Sequence, residues 1–294
     1  MFIIIIMKSE IKELMPNWTT IKQDRNITLT NDLDSLLSCA LLKHVFGYEI
    51  NYFYSFNSIS ILNPNDTRKS IGVDLALTKG YTYCNHLTML DAASYKNPDS
   101  ANINNALNIS RSNYSEKFAM STFIMLWSLL GLEKENLSDD LMKLLLTIDS
   151  GHKGYYNHDG EYRHIFMKQL DLLGMGNFTD VLEKTSNADM YSFQSDNNLD
   201  ASIHMNKKGK LFFVETGRSI KWDKQEVDLQ WLSELVGFPV ELPTGDFSKI
   251  AKFNNREMDW HELSNKAIDS SFSYAFVYKN KIKLSEMKIE GESQ

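Results

Sequence analysis

A chain of 294 residues, 43 % hydrophobic and 23 % charged, is long enough to bury two cores of ordinary size. Its 31 basic and 38 acidic side chains leave a net charge of −7, which argues against broad, salt-driven binding to duplex nucleic acid because that needs a basic face. Two cysteines, Cys39 and Cys84, both in apolar surroundings, give no disulfide framework and point to a reducing cytoplasm.

The apolar start, Met1 to Met7, is too short for a membrane span and has no positive charge before it, as a signal peptide would. It reads as a first strand or as an extension upstream of Met7. Strand patterns near 27–30, 49–54 and 71–75 alternate with helical patterns over 35–46, 114–131 and 137–148. That order predicts an α/β fold with a doubly wound, mainly parallel sheet. Helical character continues over 161–184. Residues 186–200, rich in Ser, Asn and Asp, read as a linker closing a first domain over 1–185. Beyond it, apolar runs at 201–205 and 211–215 flank Lys207-Lys208-Gly209-Lys210 as a hairpin. A helix over 224–236 and a strand over 273–283 complete a second, smaller α/β domain spanning 201–294.

Asp32 and Asp34 lie one residue apart where the strand Ile27-Thr28-Leu29-Thr30 meets the next helix. Carboxylates at the carboxyl end of a strand point hard oxygen ligands into the crevice above an open sheet. The competing reading is that one of them caps the helix. Asp74 follows Ile71-Gly72-Val73, and Asp149 follows Leu144-Leu145-Leu146-Thr147-Ile148, so each again stands directly after an apolar run. Capping does not explain a context shared across more than a hundred residues, whereas convergence on one site does.

Over roughly residues 25 to 155 the chain resembles the DHH phosphoesterases. Asp32 and Asp34 match the family's paired aspartates, Asp74 its lone metal-bridging aspartate and Asp149 its last one. Thr28 stands where the family has a histidine, and Cys84-Asn85-His86 stands where it has Asp-His-His. The resemblance implies Mn²⁺ or Mg²⁺ held by Asp32, Asp34, Asp74, Asn85 and Asp149, with catalytic roles for Asp74 and His86. Because oxygen ligands replace imidazoles, Mg²⁺ or Mn²⁺ suits the set better than zinc. The substrate implied is a nucleotide or short oligonucleotide, cleaved at a phosphodiester or phosphoanhydride bond.

His152 and Arg218 are candidates for substrate contact, against the plainer readings of a structural histidine and an ordinary turn. Cys84 is read as a buried structural residue beside that site, or as a ligand. The family's glycine-rich, histidine-containing stretch is missing from the second domain. An alternative class therefore stays open: a DHH-fold protein that has lost hydrolysis and binds a nucleotide or a protein partner. The sequence is silent on oligomeric state.

Overall fold

The computed structural model describes residues 3–134, 137–157, 160–214 and 226–288. In chain order it opens with β1 (Ile3–Ile4), α1 (Ser9–Lys12), β2 (Asn26–Leu29), α2 (Leu33–Phe46), β3 (Ile50–Tyr54), β4 (Ser58–Ile61), β5 (Ser70–Val73), β6 (Thr82–Tyr83) and β7 (Ser100–Ala101). The middle is mostly helical, with α3 (Ile103–Ala106), α4 (Thr122–Leu130), β8 (Glu133–Lys134), α5 (Asp139–Thr147), α6 (Gly160–Leu172), α7 (Thr179–Lys184) and α8 (Asn187–Asp196). The rest comprises β9 (Ser202–Met205), β10 (Leu211–Val214), α9 (Leu229–Val236), β11 (Ser248–Asp259), α10 (Asn265–Ser270), β12 (Ser271–Tyr278) and β13 (Lys281–Met287).

Nine strands form one mixed sheet in the order β12-β13-β11-β4-β3-β2-β5-β6-β7. From β3 to β7 the pairings are parallel. From β3 outward through β4, β11, β13 and β12 they are antiparallel. The expectation of a mainly parallel sheet thus holds for one half only. The three residues between β3 and β4 leave no room for a crossover helix, so β4 must run antiparallel. β11, β12 and β13, from the residues read as a second domain, then extend the sheet that begins with β2, while β9 and β10 pair in a separate two-stranded sheet.

Two helices build the core beneath the parallel half. Ten consecutive residues of α2, Leu33 to Leu42, are buried, because sheet and helices enclose it on all sides. Gly47 ends it in the left-handed conformation at φ +69, which glycine adopts without strain. Eight of the nine residues of α4 are buried against it.

Other departures have local causes. The segment 186–200, read as a linker, is helical over Asn187–Asp196: Ser186 and Asp189 form a capping box and only Met190 and Gln194 turn inward, so its surface composition concealed it. The strand expected at 273–283 is the hairpin of β12 and β13. β11, twelve residues long and largely polar, gave no apolar run to find. Among the described residues no helix is long and apolar enough to cross a membrane.

Candidate functional site

The carboxyl ends of β2 and β5, the start of α4 and the end of α5 meet at one place. Asp32 is the N-cap of α2, its Oδ1 accepting from the Ser35 amide at 3.0 Å. Asp34, two residues on, caps a different helix. Its Oδ2 accepts from the Thr122 amide at 2.7 Å and its Oδ1 from the Phe123 amide at 2.8 Å, so a carboxylate 88 residues away closes the first turn of α4. The positive end of the helix dipole favours a negative charge there. Asp74 follows β5 at φ +54 and accepts from the Thr122 hydroxyl at 2.7 Å. Asp149 and Ser150, at φ +55 and +57, turn the chain sharply at the end of α5. Non-glycine residues in that region store strain, and such strain concentrates at functional sites.

Asn85 is buried. Its Nδ2 donates to the Ser121 carbonyl at 2.9 Å, while its Oδ1 has no hydrogen-bond partner. Asn104 holds the loop in place, donating to the Asn85 carbonyl at 2.6 Å and accepting from the Phe118 amide at 2.8 Å. His86 Nδ1 lies 3.8 Å from Asp74 Oδ1 and is likewise unpartnered. Asp74, Asn85, His86, Lys117, Thr122 and Asp149 surround a cavity of about 200 Å³.

The electrostatics follow from the crowding. Burial, then the charges of Asp74 and Asp149, push Asp32 and Asp34 well above the usual carboxylate range. Burial and Asp74 push Asp149 up to about 6, with its carboxyl beside that of Asp34, although the residue as a whole is exposed and solvent screens part of the effect. Burial pulls His86 down, but the Asp74 carboxylate and the Cys84 thiol outweigh it and hold the imidazole at about 9. Its side chain is 40 % exposed, which softens that attraction. Burial lowers Lys117, opposed by Asp149.

The donor set fits a hard divalent cation in its chemistry: carboxylate oxygens and a spare amide oxygen on Asn85. Asp74, Asn85 and Asp149 are the residues that would hold it, with Asp32 close enough to add its charge. Asp34, expected among the ligands, has both oxygens engaged by α4 and serves as its anchor. No three of Asp32, Asp34, Asp74, His86 and Asp149 bring ligand atoms all within 4.8 Å of one another; among the described residues only Asp259, His261 and Glu262, on the surface, do so.

Of the remaining expectations, His152 is corrected. It is fully buried, edge-on to Tyr156 and Tyr191, with the Leu146 carbonyl beside it, and it does not line the cavity. The turn after Asp149 sends it into the helical core. Arg218 lies outside the described residues. Thr28 bonds to the Ser70 hydroxyl at 2.7 Å within the sheet. Cys84 is buried with the Asn102 amide against its sulfur at 3.4 Å, a structural role. Lys117 and Thr122 were missed; each sits in a loop or a helix start, where sequence carries no signal of what it faces. Compared with protein-family models, curated proteins and solved structures, the chain has no match.

Proposed function

We propose that this protein is a divalent-metal phosphoesterase of the DHH type, hydrolysing a phosphodiester or phosphoanhydride bond in a nucleotide or short oligonucleotide. One observation carries the reading: Asp74 and Asp149, distant in sequence, line one cavity with Lys117 and His86, and their charges bear on Asp32 and Asp34 beside it. Carboxylates packed this closely repel one another, and Mn²⁺ or Mg²⁺ offsets that repulsion. Such a cation, when bound, polarises phosphoryl oxygens and makes water acidic enough to attack phosphorus. Lys117 faces the anionic substrate as the cavity's one basic residue besides His86. His86, whose Nδ1 has no hydrogen-bond partner and lies beside Asp74, is placed to hold a proton for the leaving oxygen. The two free, buried cysteines suit a cytoplasmic setting.

A second reading, binding without hydrolysis, draws on Asp34 and Thr28. The first is committed to α4 and the second to Ser70, so two positions that hold metal in the resembled family are otherwise engaged here. An assay with Mn²⁺ on a linear dinucleotide, single-stranded DNA and a cyclic dinucleotide separates the two. Hydrolysis of the linear dinucleotide that disappears with chelator and in Asp74→Asn supports the phosphoesterase. Tight binding with no turnover of any of the three supports the binding protein.

A further inference from the structure

A second cavity, of about 130 Å³, lies on the other side of Asp74 and His86, which line both. Its walls come from both halves of the sheet and are mostly apolar, with Phe56, Leu75, Ala275 and Val277 among them. Two of its lining residues carry a buried polar atom without a partner: the Thr30 hydroxyl, on a residue 3 % exposed, and His86 Nδ1. A buried hydroxyl that bonds to nothing is costly unless something else comes to satisfy it.

Phe56 is the most telling of these residues. It is the middle of the three residues between β3 and β4 and stands at φ +60, a conformation in which a bulky side chain is strained. That strain brings an aromatic ring to the cavity edge, with Lys283 Nζ 4.1 Å above its centroid. A ring face, apolar walls, an unpartnered hydroxyl and an ammonium together suit a planar, hydrogen-bonding heterocycle.

We propose that this second cavity is the nucleobase subsite and that the substrate presents a terminal phosphate: the base stacks on Phe56, Thr30 and Lys283 take its polar edge, and the phosphate crosses past His86 to Lys117. The assignment rests on the phosphoesterase reading for the phosphate end only. It selects mononucleotides and the ends of short oligonucleotides, because the base lobe and the phosphate lobe meet at Asp74 and His86.

Calorimetry with Mn²⁺ tests it, using adenosine 5′-monophosphate and ribose 5-phosphate as probes on the full chain. The nucleotide is expected to bind about tenfold or more tightly than the sugar phosphate, the margin one stacked base provides. Phe56→Gly, which relaxes the turn, is expected to remove that margin and leave the sugar phosphate unchanged. Ala275→Leu, which fills the lobe, should do the same. Lys117→Met should weaken both probes by a similar factor. Equal affinity for the two probes in the wild type, no binding of the nucleotide, or equal loss of both in Phe56→Gly would overturn the subsite. A base preference that depends on Phe56, in a protein that hydrolyses no dinucleotide, would uphold the subsite and remove the phosphoesterase reading. Hydrolysis without base preference would do the reverse.

Discussion

Asp34 and Asp74 are held by one residue: the Thr122 amide donates to Asp34 Oδ2 at 2.7 Å and the Thr122 hydroxyl to Asp74 Oδ1 at 2.7 Å. The start of α4 is therefore a bracket that fixes two carboxylates, one from the first turn of α2 and one from the end of β5, at a set spacing. Asp34 gives up both oxygens to that bracket, whereas Asp74 keeps Oδ2 free of any hydrogen bond in the described structure.

Thr122→Val keeps the shape and the backbone amide but deletes the hydroxyl. A buried hydrogen bond to a charged group contributes about 1.5–3 kcal/mol, so urea unfolding should show a loss of that order. Unchanged stability would mean that Asp74 finds another donor.

Asp74→Asn removes one charge from a repulsive cluster while its amide oxygen still accepts from Thr122, and asparagine tolerates the left-handed backbone at least as well as aspartate. Without metal the variant should melt at the same temperature as the wild type or higher. Mn²⁺ at about a hundred times its Kd should stabilise the wild type by about 2.7 kcal/mol and the variant much less. A large drop in metal-free melting temperature would show that the charge itself supports the fold.

His152 offers a pH test away from the carboxylates. Burial, with the Lys153 charge, lowers its pKa from 6.5 to about 4, so the unfolded chain binds a proton that the folded chain refuses between those values. Its contribution is constant above about pH 6.5 and is lost as pH falls through that window toward 4. Filling the slot between Tyr156 and Tyr191 with His152→Phe should raise stability relative to wild type at pH 5 by about 1–2 kcal/mol compared with pH 8. Equal differences at the two pH values would show that His152 titrates normally.

Much of the site was legible because its chemistry sits at the ends of apolar runs. Asp32, Asp34 and Asp74 stand where buried strands stop, and that pattern survives in one dimension. What a side chain faces does not. His152, three residues after Asp149, was a candidate for substrate contact, yet two left-handed residues before it turn the chain so that the ring is buried. Lys117 and Thr122 became functional candidates only when α4 was docked on β5. The shared sheet was hidden for a similar reason: β11 buries only Phe253 and Met258 in twelve residues, too sparse for a strand pattern, yet it joins β4 to β13.

The most direct test is an anomalous difference map from crystals grown with Mn²⁺. The expected result is a peak within roughly 2.0–2.6 Å of carboxylate oxygens of Asp74 and Asp149 and of Asn85 Oδ1, the range of hard-cation ligand bonds. A peak at Asp259, His261 and Glu262 alone, with the Asp74 cavity empty at saturating Mn²⁺, would contradict a metal centre at the carboxylate cluster.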